Sequence, residues 1–260
     1  MIKALYTAAT GMRAQQTRID VVANNLANVN TSGFKKSTVN FQDLLYSTIE
    51  SAGASNADGS VRPAGLQIGS GTRLVSTSKI FTPGVLEQTG RDLDWMISGD
   101  GFFKLTDLTG GDVFTRDGNF HIDAQGNVTN SDGLRLNPGI TVPQGARITI
   151  SQDGTVTARI GNENGTTIGQ LTLSNFPNPA GLESVGANIY RATTASGVET
   201  PGNPGTNGLG QITQGFIERS NVEVVDELVD LIVSQRAYEI NSRAINTADE
   251  MLTTANNILQ

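Results

Sequence analysis

The chain has 260 residues, a formal net charge of −7 and no cysteine. Without cysteine, disulfide frameworks, thiolate metal sites and cysteine nucleophiles are excluded, and an acidic chain without a basic patch does not suit nucleic-acid binding. Thirty glycines and only 5% aromatic residues favour many tight turns over a large enzyme core.

Apolar residues spaced by seven predict a long N-terminal helix over residues 2–29. The column comprises Leu5, Met12, Ile19 and Leu26, and a second column of Ala9, Gln16 and Ala23 lies beside it. A repeat of seven keeps one stripe of a helix facing a partner helix along its whole length. The helix is expected to stop near residues 30–33, where Gly33 can adopt the positive φ of a helix end.

Residues 37–70 are predicted to connect this helix to the middle of the chain. A second short helix is expected over residues 38–50, because Val39, Leu44, Leu45 and Ile49 form a partial apolar stripe. Residues 51–65 are small and polar, so a loop is expected there.

The middle of the chain, residues 71–216, is predicted to be a mainly antiparallel β domain. Alternating runs mark candidate strands at residues 102–105, 113–115, 119–122, 147–150 and 155–157. Turn pairs such as Asp132-Gly133 and Asp153-Gly154 lie among them, and Asp-Gly between alternating runs is a strong hairpin signal. Residues 196–210 hold two prolines and five glycines, which predicts a flexible return segment.

A second column spaced by seven predicts a C-terminal helix over residues 221–259. It comprises Leu231, Tyr238, Ile245, Leu252 and Leu259. Ser220 and Glu223 have the spacing of a capping box at its start. A wide apolar flank that includes Val229, Ile232 and Ile240 indicates contact with neighbours on more than one side, although a single helix packed on its own β domain is an alternative.

The search for chemistry finds no catalytic constellation. His121 is the only histidine and falls in a strand candidate, so a role as a metal ligand or base is not favoured. The run from Asp117 to Asp123 lacks the acid spacing of a calcium loop, and no phosphate-binding glycine loop is present. We therefore expect no catalytic residue, no cofactor, no metal site and no enzymatic activity.

Residues 23–35 resemble the signature of bacterial flagellar rod and hook proteins, and residues 8–12, 99–103 and 235–241 are similar to the same family. The motif residues are Asn24, Asn25, Leu26, Ala27, Asn28, Thr31, Gly33 and Phe34. The asparagine side chains can either cap the end of the first helix or bind a neighbouring subunit. The nine residues of the two apolar columns are the candidates for subunit packing.

The resemblance implies an α+β subunit of a helical tube that transmits torque from motor to hook. The terminal segments 1–36 and 217–260 would pair as a coiled-coil-like inner domain, with residues 71–216 as the outer domain. Chain length and residues 43–69 favour the distal rod; proximal rod and hook subunits are alternatives, as is a β-domain binding module with a helical stalk. Residues 46–66 are expected to reach a neighbouring subunit.

The resemblance also implies partners and a location. The partners would be further copies of the chain, other axial proteins of the flagellum and the surrounding basal-body ring proteins, without nucleic acid or membrane insertion. The N-terminal residues lack the continuous apolar core of a Sec signal. This agrees with the implied type III export without a cleaved signal, into a basal body that spans the periplasm toward the outer membrane.

Overall fold

The computed structural model describes residues 2–53, 63–107, 109–161 and 165–258. In this part the chain forms two helices, α1 (Ile2–Ala27) and α2 (Val224–Ile258), with β-strands between them. The predicted α+β class is confirmed. The strands are β1 (Ser37–Asp43), β2 (Tyr46–Glu50), β3 (Leu66–Gly69), β4 (Thr72–Lys79), β5 (Leu86–Gln88), β6 (Trp95–Ser98), β7 (Phe102–Thr106), β8 (Asp112–Thr115), β9 (His121–Ile122), β10 (Val128–Thr129), β11 (Arg135–Leu136), β12 (Arg147–Ile150), β13 (Thr155–Arg159), β14 (Thr166–Gln170), β15 (Leu173–Asn175), β16 (Glu183–Gly186), β17 (Ile189–Arg191), β18 (Thr200–Gly202), β19 (Gln211–Gln214) and β20 (Phe216–Glu218).

The chain divides into two compact units. The helical unit is built from Met1–Leu26, Ser37–Ser78 and Val224–Gln260, and the β unit from Ala27–Lys36 and Lys79–Glu223. In the helical unit β1 pairs with β4, and β2 pairs with β3. The helical unit therefore includes strands from residues 37–78 as well as both helices.

Helix α1 ends at Ala27, two residues before the predicted end. Its buried side chains are Ala14, Val22 and Asn25. The predicted second column does not pack within the unit, because Ala9, Gln16 and Ala23 are exposed. The face that packs within the unit is therefore rotated away from that column.

Helix α2 begins at Val224, and the predicted capping box does not form. The Ser220 hydroxyl accepts a hydrogen bond from the backbone N–H of Val222, at 3.2 Å, in place of Glu223. The intervening Asn221 donates its amide to the carbonyl of Ile80, at 2.9 Å. Residues 220–223 are thus held in the β unit and cannot join the first turn of the helix.

The predicted short helix over residues 38–50 is wrong, because this stretch forms strands β1 and β2. The segment is rich in β-branched and aromatic residues, which suit a half-buried pleated surface, and the hydroxyls of Thr38 and Ser78 lie 3.2 Å apart across β1 and β4. The apparent helical stripe does not reach a core, since Leu45 is 88% exposed. Most of the loop predicted over residues 51–65 lies outside the described residues.

The β unit contains one large sheet with strand order β16-β17-β8-β7-β11-β10-β9, in which β15 also pairs with β7 and β18 pairs with β15. Strands β12, β13 and β14 form a separate antiparallel sheet. The candidate strands at residues 102–105, 113–115, 147–150 and 155–157 are confirmed. The candidate at residues 119–122 shortens to β9, and the predicted return segment contains β18.

Strand β7 supplies two separate cores because successive residues of a strand point to opposite faces. Phe103 joins Trp95 and Phe120 in the larger cluster, where its ring meets that of Phe120 edge-on at 5.2 Å. Phe102 joins an aromatic cluster with Phe114, Phe176, Leu182 and Tyr190. These rings pack with buried aliphatic side chains in the larger cluster, so aromatic and aliphatic burial together stabilise the unit.

Candidate assembly surfaces

Helices α1 and α2 lie antiparallel within the helical unit and meet through polar side chains. The Arg18 guanidinium lies 2.9 Å from the Asp230 carboxylate. Nearer the end of α1, the Asn25 amide donates to Oε2 of Glu227 at 3.1 Å. Glu227 is buried in the first turn of α2, where a carboxylate also interacts favourably with the helix dipole.

Asn25 of the asparagine-rich motif is buried and uses both its amide oxygen and its amide nitrogen. Its Oδ1 accepts the backbone N–H of Ser37 at 2.9 Å, and its Nδ2 donates to the carbonyl of Ser37 at 2.9 Å. Together with the Glu227 bond, these contacts tie the start of β1 and the start of α2 to the end of α1. Asn25 therefore contacts other segments of its own chain. The two roles expected for the asparagines, capping of the first helix and binding of a neighbouring subunit, do not describe these contacts.

Gly11 allows a close approach to α2. A Cβ built at this position would lie 2.9 Å from Nδ2 of Asn241, so any larger residue would displace that amide. One residue earlier, the Thr10 hydroxyl accepts the backbone N–H of Thr72 at 3.3 Å. Asn241 is therefore the residue of α2 that comes closest to Gly11.

The predicted packing columns are incompletely buried in the single chain. Leu5, Met12, Ile19, Leu26, Leu231, Ile245 and Leu252 are partly exposed, and Tyr238 is 40% exposed. Leu259 lies outside the described residues. Eight of the nine predicted residues thus retain apolar surface that the chain itself does not cover.

A second apolar surface runs along α2 and is more exposed than the columns. Val225 is 67% exposed, Val229 and Ile232 are each 54% exposed, and Ile240 is 65% exposed. Met251 near the end of the helix is 52% exposed. Contiguous exposed apolar residues of this kind mark interaction surfaces, and we call these five residues the α2 apolar face.

The second half of the motif, which follows α1, is buried in the β unit. Gly33 has a φ of +66°, as predicted, and its N–H donates to the carbonyl of Glu218 at 2.7 Å. A Cβ there would lie 2.6 Å from the backbone nitrogen of Asp117, so only glycine fits. The next residue, Phe34, is buried, with Nζ of Lys79 4.8 Å from its ring centroid.

Lys35 forms a buried ion pair that the sequence does not reveal. Its Nζ lies 2.6 Å from Oε1 of Glu218, with both side chains at most 1% exposed. Nζ also donates to the carbonyl of Thr82 at 2.7 Å, and the N–H of Gly84 donates to the same Glu218 oxygen at 2.8 Å. Burial lowers the pKa of Lys35, while the Glu218 carboxylate acts in the opposite direction.

Arg116 completes this charge cluster. Its Nη1 lies 3.7 Å from Oε2 of Glu218 and donates to the carbonyl of Gly99 at 2.8 Å. The guanidinium also lies 5.2 Å from the ring centroid of Phe102, a favourable cation–π contact. Nearby, burial raises the pKa of Tyr190 to about 12, so its hydroxyl stays neutral. The cluster links Lys35, Gly99 and Glu218, which are far apart in the sequence.

The remaining motif residues contribute less to the interior. Oδ1 of Asn28 accepts a hydrogen bond from the Thr31 hydroxyl at 3.1 Å, which stabilises the turn after α1. Leu26 is partly exposed, while Asn24 and Ala27 are exposed. These positions therefore lie at the surface of the single chain.

The described residues place the single histidine, His121, exposed at the edge strand β9. Among these residues, no group of three or more His, Asp or Glu side chains is arranged to hold a metal ion. Asp123 serves a turn, since its Oδ1 accepts the N–H groups of Gln125 and Asn127 at 2.9 and 2.7 Å. Neither helix in the described residues has the length and apolar character needed to cross a membrane.

Three family models match the chain. They are a flagella basal body rod protein model at residues 5–35, a flagellar hook protein FlgE/F/G D1 domain model at residues 96–158, and a flagellar basal body rod FlgEFG protein C-terminal model at residues 213–258. Curated relatives match over nearly their whole length. The flagellar basal-body rod protein FlgG of Borreliella burgdorferi is 45% identical over 99% of both chains, and that of Caulobacter vibrioides is 45% identical over 96% of this chain and 97% of its own.

The chain belongs to the flagellar basal-body rod protein FlgG family. It is a structural subunit of the flagellar distal rod and not an enzyme, as predicted. A flagellar hook-basal body complex protein of Bacillus subtilis, FlhP, is also related but is only 30% identical, over 99% of this chain and 100% of its own.

The matched regions of the rod family meet in the buried charge cluster. Lys35 lies in the region matched at residues 5–35, Arg116 in the region at 96–158 and Glu218 in the region at 213–258. One ion-pair cluster thus links three separate parts of the family sequence. The cluster could not be predicted from the sequence, because Lys35 and Glu218 are 183 residues apart and no local sequence pattern indicates that they pair.

Proposed function

We propose that copies of this rod protein join head-to-tail into an open helical tube that transmits torque from motor to hook. In this tube α1 and α2 pair as a coiled-coil-like unit of the inner wall, with terminal segments 1–36 and 217–260, and residues 71–216 form the outer domain. Contacts between different patches of the same subunit that do not close into a ring generate such filaments.

The α2 apolar face carries this proposal. More than half of each of its five side chains is exposed, and covering such residues stabilises an interface by about 25 cal/mol per Å² of buried apolar surface. The residues of the two apolar columns, which are partly exposed in the single chain, add further apolar surface. Exposed apolar surface of this kind does not stabilise a chain that functions as a monomer.

Strands β2 and β3 support the proposed role of residues 46–66 in reaching a neighbouring subunit. Tyr46 and Ile49 on β2 are 55% and 57% exposed, and Leu66 and Ile68 on β3 are 51% and 44% exposed. The strands pair with each other and expose apolar side chains that a second copy can cover. This contact would stiffen the tube against bending.

The names of the relatives and of the family models bear on the partners and the location of the assembled rod. The relatives are named as basal-body rod proteins, and one matched family model is shared with hook protein. We therefore propose other axial proteins and the basal-body rings as partners. We also propose a location across the periplasm toward the outer membrane, reached by type III export without a cleaved signal.

Substitution Ile240→Asp tests the proposal. Ile240 is 65% exposed in the single chain, so a charge there leaves the monomer folded but must be buried in an assembled tube, where an unpaired carboxylate is strongly unfavourable. We expect tube formation, followed by light scattering and electron microscopy, to be abolished. The matched control is Asn246→Asp, which adds the same charge to another exposed position of α2. Tubes of Ile240→Asp at the parent's critical concentration would refute the proposed interface.

A further inference from the structure

We infer that a polar seam between α1 and α2 fixes their antiparallel register. The seam comprises Gly11, Arg18 and Asn25 on α1, and Glu227, Asp230, Ser234 and Asn241 on α2. The inference deepens the proposed function, since it rests on the proposed pairing of the terminal helices. It assigns the choice of register to the polar residues and leaves the apolar columns for contacts with other copies.

The α1 residues of the contacts are spaced by seven, and two of their partners on α2 are fourteen residues apart. Gly11 meets Asn241 and Asn25 meets Glu227, so the two contacts are fourteen residues apart on each helix, in opposite directions. Seven residues from each end lie Arg18 on α1 and Ser234 on α2. The long Arg18 side chain reaches one turn along α2 to bind Asp230. The buried hydroxyl of Ser234 has no hydrogen-bond partner, so the register rests on the contacts of Gly11 with Asn241, Arg18 with Asp230 and Asn25 with Glu227.

Three of the six buried residues that the structure describes on the two helices belong to the seam, and none belongs to the apolar columns. Asn25 is 2% exposed, Glu227 is 5% exposed and Ser234 is fully buried. By contrast, Leu231 and Ile245 of the α2 column remain partly exposed. In a usual two-stranded coil the apolar column lies at the centre and polar residues flank it. Here the buried positions combine these polar residues with Ala14, Val22 and Ala248, and the partly exposed columns keep apolar surface for neighbours.

A slide of the helices by one heptad, in either direction, breaks the contacts that need a specific partner. The Asn25–Glu227 bond is lost in both directions. In the slide that brings Asn25 opposite Ser234, Glu227 passes beyond the end of α1 at Ala27 and is left without a partner, which is more costly than the bond is favourable. The opposite slide brings Arg18 opposite Glu227, so the Gly11–Asn241 and Arg18–Asp230 contacts oppose that one. Asn241 also moves away from Gly11, the only glycine of α1, and meets a larger residue. An apolar seam would not discriminate in this way, because apolar contacts are not directional.

The absence of cysteine from the whole chain permits a direct test by disulfide trapping. The seven-residue step places Ala4 opposite Ala248 in the observed register, and opposite Ala255 after a slide of one heptad. The two reporters are therefore Ala4→Cys with Ala248→Cys, and Ala4→Cys with Ala255→Cys. Neither alters a seam residue. Full-length chains are oxidised at low concentration, and the intrachain product is measured on a non-reducing gel.

The seam variant combines Arg18→Leu, Glu227→Leu and Asp230→Leu. We expect the parent to form the native disulfide almost alone, and the seam variant to lower the ratio of native to slid product by about tenfold or more, which is the penalty expected for an unpaired buried polar group. The matched control, Gln16→Leu with Gln235→Leu and Asp249→Leu, changes exposed positions on the same helices and should keep the parent's ratio.

Charge reversal provides a second measurement if the seam variant loses its helices. Arg18→Asp should lower the native product, and adding Asp230→Arg should restore it. An unchanged product ratio in the seam variant, or a failure of the reversed pair to restore the native product, would overturn the inferred role of the seam. An absence of native product in the parent would instead overturn the pairing of α1 and α2, and thus the proposed function.

Discussion

The substitution Lys35→Met removes the positive charge from the buried ion pair while keeping a long unbranched side chain. Glu218 would then remain about 1% exposed without its principal partner. Loss of one member of a buried pair costs about 3–5 kcal/mol, because the other charge stays desolvated. Arg116 lies 3.7 Å from Glu218 and offsets part of this cost, so we expect the β unit to lose about 3 kcal/mol of stability.

Trp95 offers a direct assay for this loss. It is the only tryptophan of the chain and is fully buried in the larger core of the β unit, so its fluorescence reports unfolding of that unit. Urea titrations at pH 7 should show a lower midpoint for Lys35→Met with an unchanged slope, since the area exposed on unfolding is the same.

The matched control is Arg135→Met. Arg135 is 63% exposed and lies 4.0 Å from Asp123, and exposed ion pairs contribute about 0–1 kcal/mol. Both substitutions remove one positive charge from the β unit. The difference between their losses of stability therefore reports the effect of burying the charge. If Lys35→Met destabilises the unit by no more than the control does, the ion pair does not hold this region together.

Further substitutions test Gly33 and Asp117 by the same fluorescence assay. Gly33→Ala should lower stability by at least about 2 kcal/mol, because its Cβ would clash with the backbone of Asp117. The control Gly133→Ala has a similar positive φ and open space around it, so it should cost only the left-handed backbone penalty of about 1 kcal/mol. Equal losses of stability for the two variants would refute the clash. Burial raises the pKa of Asp117 from 3.8 to about 6, so the folded state binds the proton more tightly and this group's contribution to stability falls as pH rises from about 4 to 6. Asp117→Asn should therefore raise stability at pH 7 by about 1–3 kcal/mol relative to pH 4, and an equal effect at both pH values would contradict the shift.

The terminal helices could be predicted from the sequence because their signal is local and regular. Columns spaced by seven located α1 and α2 to within about three residues at the ends that the structure describes. The start of α2 was missed for a tertiary reason, since Ser220 and Asn221 are held by the β unit. Four of the five candidate strands in the β unit were located correctly, because short alternating runs between turn residues are typical of strands. Other strands, such as β6 and β14, were not predicted.

The misassigned segment at residues 38–50 shows the limit of this reasoning. Its partial stripe contains Leu44, Leu45 and Ile49, but too few turns to distinguish a helix from strands. Pairing of β1 with β4 and of β2 with β3 decides the outcome, and the partners lie beyond any sequence window. The same applies to the Lys35–Glu218 pair and to the register of the helices, which depend on contacts between distant residues.

A cryo-electron reconstruction of tubes assembled from the purified chain tests the central claim most directly. The account predicts that α1 and α2 of each copy form the inner wall in the antiparallel register set by Asn25 and Glu227. It also predicts that Val229, Ile232 and Ile240 are covered by neighbouring copies. Tubes in which these three side chains remain exposed to solvent, or in which the terminal helices lie outside the wall, would contradict it.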